Sequence, residues 1–449
     1  MTRPARDSGA LVPAPGTLAV SLASVLVLAL ALTMGGTLPA AQADPTEEAA
    51  AVPAHAYQAA GPEVSGAVSQ AQAPVLLPGI HLDTFALGGQ STDEKVGTEK
   101  YYRIAVSSGQ RVHASATVAA PPYADGIPET ADELSMAVTF LTAGGETCED
   151  VGDDGIGEWR TGDGPVTSSA VSGAVGWDDC PGDELFLRIT RTGTRAGDSP
   201  LPVEIQVAIE PAGVGGGAPA VTEEIEDSGA GPVPPAQDEP FEAGRSFATA
   251  PEVEPGSYVM ELVPGEVSLV RIEVGEGQRL RWRVEETSQP EGAGELSLRA
   301  FNAVREQVTV RGGSWLMSPD DRINGGGMTT PVDRGNRSSE LSSVASAWLP
   351  GTHYVALQRL QRPADAEPAG DVPVTVVLTL EVEGEVAEDA PEGTVLELGE
   401  TTVTRGPLSS LGSDASWGRL ARCGGAGLLI LLGLLTAIAG MLELRMRRR

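Results

Sequence analysis

A pattern in this sequence occurs twice. Its first occurrence reads Pro78-Gly79, then Tyr101-Tyr102-Arg103-Ile104-Ala105-Val106, then Gly109-Gln110-Arg111-Val112. Its second reads Pro255-Gly256-Ser257-Tyr258, then Ser268-Leu269-Val270-Arg271-Ile272-Glu273-Val274, then Gly277-Gln278-Arg279-Leu280. The two Gly-Gln-Arg tripeptides stand 168 residues apart. Further along, Pro181-Gly182 leads through Leu185 to Ile189, and Pro350-Gly351 leads through His353 to Leu357. Each copy closes on an alternating run, Pro202 to Ile209 and Pro373 to Leu380. A duplication requires both copies to solve the same folding problem, and each, at roughly 135 residues, is long enough to bury one core.

The solution is all-β. Short segments alternate apolar and polar side chains, as in Ile272 and Val274 and then Leu280, Trp282 and Val284, with Gly, Pro and Asp between them. No amphipathic helix of convincing length stands between Asp44 and Leu420. Alternation of this kind belongs to antiparallel sheets with one wet face, and two such sheets stacked make a sandwich.

The duplicated phrase resembles the bacterial pre-peptidase C-terminal family of β-sandwich modules. The resemblance rests on the Pro-Gly turn, the Tyr-Tyr-Arg-Ile-type strand and the Gly-Gln-Arg that leads into another strand, with Gly244 to Ala250 as a lead-in to the second copy. It covers roughly residues 75–211 and 244–384. It implies two jelly-roll-like accessory modules, secreted and without catalytic residues of their own. The protease domain that often stands beside such modules is missing from this sequence.

The ends place the chain. Arg3 and Arg6, the uncharged stretch Leu18 to Met34 and the small-x-small Ala41-Gln42-Ala43 make residues 1–43 an expected signal peptide; the alternative is an uncleaved anchor. Gly424 to Leu442 has no charge and is long enough to span a bilayer as a helix. Arg445, Arg447, Arg448 and Arg449 follow it, and the positive-inside rule keeps them in the cytoplasm. A single C-terminal transmembrane helix is therefore expected over 421–444, with a basic cytoplasmic end at 445–449. Trp417 sits at the expected outer interface, and Gly433, Ala437 and Gly440 share a helical face suited to pairing. Between the modules, 212–243 has the composition of a flexible linker, 44–74 that of a disordered tail, and 385–420 that of an acidic stalk. Within the stalk, Val395 to Leu398 and Thr402 to Thr404 could instead pair as a hairpin.

A net charge of −32 disfavours nucleic acid and anionic lipid as partners. Lys95 and Lys100 are the only lysines, which with the abundant Ala, Gly and Pro fits a GC-rich genome of the actinobacterial kind. Cys423 stands apart at the membrane edge. Cys148 and Cys180 lie in the exported part, where they form a disulfide or stay as two buried thiols. A bond would gather Glu149, Asp150, Asp178 and Asp179 into one acidic loop. Such a loop either splays into water or takes up calcium, whose flexible oxygen coordination suits it. The run Asp150 to Gly155 only half matches a calcium loop, because Gly152 occupies a ligand position and Thr161 stands where a Glu is wanted.

Catalytic patterns are missing from the sequence. No Gly-x-Ser-x-Gly, His-Glu-x-x-His or Cys-x-x-Cys occurs, and His55, His81, His113 and His353 stand singly. No other cofactor is implied. The expectation is a non-enzymatic, membrane-anchored protein whose modules meet an extracytoplasmic protein or polymer. The alternative is an extracellular hydrolase using an unrecognised carboxylate pair, against which the aromatic content (six each of Phe, Trp and Tyr) is low for a glycan cleft.

Overall fold

The computed structural model describes residues 55–404 except 87–97, 124–125, 130–133, 149–163, 178–179, 193–199, 215–216, 223–228, 289–294, 310–315, 318–323, 362–372, 388–393 and 399–400. The expected signal peptide (1–43), membrane helix (421–444) and basic end lie outside these. Among the described residues no helix is long and apolar enough to cross a membrane.

The fold is all-β, as expected, and the duplication is visible strand by strand. The first copy contains β1 (Gly79–Phe85), β2 (Thr98–Ala105), β3 (Arg111–Val118), β4 (Ser135–Leu141), β5 (Val166–Val171), β6 (Glu184–Thr192) and β7 (Leu201–Glu210). Order β1-β7-β3-β5 forms one sheet and β2-β6-β4 the other. The second copy contains β8 (Gly256–Leu262), β9 (Val267–Val274), β10 (Arg279–Ser288), β11 (Leu296–Phe301), β12 (Gln307–Val308), β13 (Leu316–Met317), β14 (Asn324–Met328), β15 (Gly351–Arg359) and β16 (Val374–Glu383). Its sheets repeat the same orders, β8-β16-β10-β14 and β9-β15-β11, with the two-residue strands β12 and β13 both on β11. Each copy closes its own core between its two sheets.

The repeated Gly-Gln-Arg now has a physical account. Gly109 (φ +83°) and Gly277 (φ +85°) turn the chain between the second and third strands of each copy, in a left-handed conformation that side chains oppose. The following glutamine ties the turn: Ser107 N donates to Gln110 Oε1 at 2.7 Å, and Gly275 N to Gln278 Oε1 at 2.8 Å. The arginine opens the next strand opposite a glutamate, Arg111 facing Glu210 and Arg279 facing Glu383. The Tyr-Tyr phrase of the first copy is equally local. Tyr102 points inward and donates to Asp83 Oδ2 at 2.6 Å, while Lys100 Nζ reaches Asp83 Oδ1 at 2.6 Å. The second copy carries Met260 and Val270 in place of Asp83 and Tyr102, an apolar answer to the same packing problem, and Ser268 in place of Lys100.

Three segments expected to be free of the sandwiches lie against them. Residues 55–74 run beside the first sandwich through bridges Glu63–Leu82 and Ala67–Tyr101. The second bridge matches Gly244–Leu269 in the other copy, so Ala67 opens a lead-in of its own. Part of the linker rests on the second sandwich, with Ala230 N donating to Trp282 O at 3.1 Å and Arg281 to Gly229 O at 2.6 Å. From the expected stalk, β17 (Thr394–Leu398) and β18 (Thr401–Thr404) form the hairpin that the sequence left as an alternative, and Glu397 of β17 pairs with Ile209 of β7. Leu396 explains the difference: it is fully buried beside Ala208 and Trp348, so a mostly polar stretch of chain gains an apolar anchor.

Candidate functional site: the face between the two sandwiches

On β3 and β7, inward residues build the first core: Val112, Ala114, Ala116 and Val118 on one strand, Val203, Ile205, Val207 and Ile209 on the other. The outward residues His113, Ser115, Thr117, Glu204, Gln206 and Glu210 are polar, which is the pattern of a wet face. All are buried, and so is Ala208. The second sandwich covers them. It does so with the turn Asn302–Glu306 after β11 and with Trp348 and Leu349 before β15.

One pole of the interface is centred on Glu204. Its carboxylate accepts from Tyr57 Oη at 2.9 Å and from Ala60 N at 2.5 Å, and it pairs with Arg305 at 2.7 Å. Burial and the carboxylate together push the Tyr57 hydroxyl well above its ordinary value, so it stays a donor. Arg305 lies 4.6 Å above the Phe247 ring, which meets Tyr57, Phe301 and Tyr354 edge-on. Arg305 is also the one non-glycine among the described residues with positive φ, at 62°. Asn302 holds that turn, its Oδ1 accepting from Val304 N at 3.1 Å and Glu306 N at 3.2 Å. The backbone strain, about 1–2 kcal/mol, is kept where it aims a guanidinium at a buried carboxylate.

The other pole is centred on Glu210. His113 Nε2 donates to it at 2.8 Å, and Arg337 forms an ion pair with the same oxygen. The His113 ring stacks on Trp348 with centroids 5.2 Å apart, and Arg337 lies 4.6 Å above the same indole. Burial lowers the His113 pKa and keeps the ring neutral. Burial alone would raise Glu210, but the hydrogen bond from His113 and the charge of Arg337 bring it below the usual range. Glu306 joins the poles by accepting from Trp348 Nε1 and Asn302 Nδ2, each at 2.9 Å.

Between the poles Gln206 Nε2 donates to Ala303 O at 3.2 Å. Ser115 Oγ, Gln206 Oε1 and His113 Nδ1 have no protein partner among the described residues. A cavity of about 30 Å³, lined by Tyr57, Thr167, Phe247, Ser297 and Gln358, fits a water or two but no organic ligand. The N-terminal segment straps the joint from outside: His55 Nδ1 meets Glu266 at 2.6 Å, and Arg245 holds the other oxygen at 2.9 Å. Chemically the arrangement is a docking surface, in which ionised groups meet partners from the opposite sandwich.

Of the expected site residues, Cys148 and Cys180 form a disulfide, with Cα atoms 5.3 Å apart. By loop length it stabilises the first sandwich by about 3–4 kcal/mol; Val308, beside Ala300 in the second copy, occupies the place that Cys148 takes beside Phe140. The calcium candidates Glu149, Asp150, Asp178 and Asp179 lie outside the described residues, as do Trp417, Gly433, Ala437, Gly440, Arg445, Arg447, Arg448 and Arg449. Among the described residues no cluster of three potential metal ligands occurs. Glu204, Glu210, Arg305, Arg337 and Trp348 had no sequence motif. The signal that could have found them is the contrast between the copies: short neutral residues project from β3 where arginines project from β10.

No protein-family profile matches the chain, and no curated protein does. Solved structures give distant likenesses. The tandem CBM22-1–CBM22-2 domain of Paenibacillus barcinonensis Xyn10C is 12% identical, with 68% of this chain and 92% of that one covered and a TM-score of 0.18. The tandem CBM51 modules of a Streptococcus pneumoniae family 98 glycoside hydrolase are 8% identical, covering 66% and 88%, with a TM-score of 0.16. The CUB1-EGF-CUB2 domain of human MASP-1/3 is 8% identical, covering 67% and 99%, with a TM-score of 0.15. At such scores none of these likenesses bears on function or family, and the β-sandwich assignment stands on the sheets themselves.

Proposed function

We propose that the chain is a non-enzymatic extracytoplasmic protein, anchored by the C-terminal apolar segment, that presents its docked pair of sandwiches as a binding or accessory unit of a cell-envelope complex. The observation that carries this reading is the use to which reactive side-chain types are put. The buried histidine–carboxylate pair, His113 and Glu210, is closed over by Trp348 and Arg337, leaving no room for a substrate. The resemblance to pre-peptidase C-terminal modules supports the same role, as does the acidic, lysine-poor composition. Calcium at the Cys148–Cys180 loop belongs to this proposal as a structural ion.

The test is topological and biochemical. A tag inserted at exposed Gly231 is expected to be cut from intact cells by added protease, while a tag after Arg449 stays protected in an alkali-resistant membrane fraction. A stoichiometric envelope protein is expected to co-purify on the second tag. Release of the chain into the soluble fraction, or protection of both tags, would overturn the reading.

A further inference from the structure

The Glu210 pole does not resemble a permanent weld. His113 Nε2 donates to Glu210, and its Nδ1, buried against the second sandwich, faces no protein acceptor. Charged groups approach the ring from several sides. Glu210 comes from β7, Arg111 from its own strand, and Arg337 from the 3-10 turn Arg334–Ser338. Glu306 stands behind Trp348. On the β5 side the register partner is the neutral Val171. A second proton on His113 would create a cation beside Arg111 and Arg337, and a new N–H with no protein acceptor among the described residues. Two further atoms on the same face, Ser115 Oγ and Gln206 Oε1, also find no partner among the described residues, so separation into water satisfies all three.

We propose that this contact is an acid-sensitive latch: protonation of His113 releases the second sandwich from the first and uncovers the β3/β7 face. Its sense follows from the chemistry. The closed form holds His113 neutral, so it binds fewer protons than the open form. Docking is therefore fully present above the ordinary histidine value and is lost as pH falls toward the lowered one. Glu210, whose carboxyl is held down in the closed form, adds to the loss only below the ordinary carboxylate value. The neutral ring stacked on Trp348 is the closed state, and the imidazolium in water is the open one. This latch is independent of where the chain is anchored and of what it binds.

The experiment uses the full-length chain with spin labels on the exposed residues Ala105 and Glu261, one in each sandwich, introduced as A105C and E261C in a Cys423→Ser background. Pulsed EPR is expected to show one narrow distance at pH 7.5 and a broad distribution at pH 5. The docked fraction relative to the open one should fall roughly tenfold per pH unit below about 6.5. His113→Phe keeps a ring on Trp348 with nothing to protonate, and is expected to stay docked between pH 6.5 and 4.5. Glu210→Gln removes the one carboxylate that touches the ring and is expected to move half-opening to higher pH. If the Phe variant does not fold, the Gln variant still decides, because an opening driven by Glu210 itself would vanish in it. A native chain still docked at pH 4.5, or a Phe variant that opens where the native chain does, overturns the latch.

Discussion

The β3/β7 face of the first sandwich and the β10/β16 face of the second are the same surface by descent and opposite in use. Strand register pairs Arg111 with Glu210 and Arg279 with Glu383, and from that common start the outward residues diverge. His113, Ser115 and Thr117 stand where Arg281, Arg283 and Glu285 stand in the second copy. Short or neutral side chains let another sandwich approach to contact distance. Long charged ones form a ladder instead: Arg279 with Glu383 at 2.5 Å, and Arg281 with Glu381 at 3.0 Å. The inward residues of these strands stay apolar at every place but one, where Glu286 stands in for Val118. Duplication thus kept a mostly apolar core and let the outer face decide which copy is covered, as terminal repeats of stacked arrays carry a polar outer face.

The contrast can be broken most forcefully by moving one residue across it. Ser115→Arg places the charge of Arg283 on the buried face with no carboxylate opposite, a cost of several kcal/mol by ion burial. The native chain is expected to melt in one thermal transition and this variant in two, as its sandwiches melt apart; one unchanged transition would show that the face tolerates charge. Arg305→Ala strands the buried carboxylate of Glu204 and is expected to weaken docking by about 3–5 kcal/mol, read from the same calorimetric split.

His353→Leu gives the second copy the residue that Leu185 supplies in the first. His353 is fully buried, its Nδ1 facing Gly351 O at 3.0 Å, and burial lowers its pKa to about 4. The folded second sandwich keeps it neutral, so stability is complete above about pH 6.5 and declines as pH falls toward 4. The native loss across that window is roughly 3 kcal/mol, and chemical denaturation of the Leu variant is expected to show almost none of it. Arg281→Ala, on the half-buried ladder, should change stability by about 1 kcal/mol; a much larger loss by urea unfolding would mean that the ladder supports the fold as the buried face does.

How far the sequence could be read follows from what each feature depends on. Alternation and the repeated turns depend on neighbours a few residues away, so the all-β class and the doubled sandwich were legible. So was the Cys148–Cys180 pair, since three cysteines permit only a few pairings and Cys423 stands far from the other two. The polar outward residues of β7 were read as wet because period-two alternation reports two different faces, not which one meets water. Tyr57 falls in the expected tail because its neighbours are small, Ala54, Ala56, Ala59 and Ala60 among them; its partners Glu204 and Phe247 are 147 and 190 residues away. Leu396 falls in the possible hairpin, but nothing near it in sequence tells that Ala208 and Trp348 cover it. Each miss is a residue whose environment is supplied by chain far away in the sequence.

The return of β17 to the edge of β7 has a mechanical consequence. The chain leaves the second sandwich after β16, yet its last described strands are stitched to the first, at Glu397 and Ile209. Tension applied from residue 404 onward would reach β7 before it reached any strand of the second sandwich. That strand carries Glu204 and Glu210 on its outer side, so peeling the hairpin away would tug at the seam between the sandwiches while their cores stayed shielded.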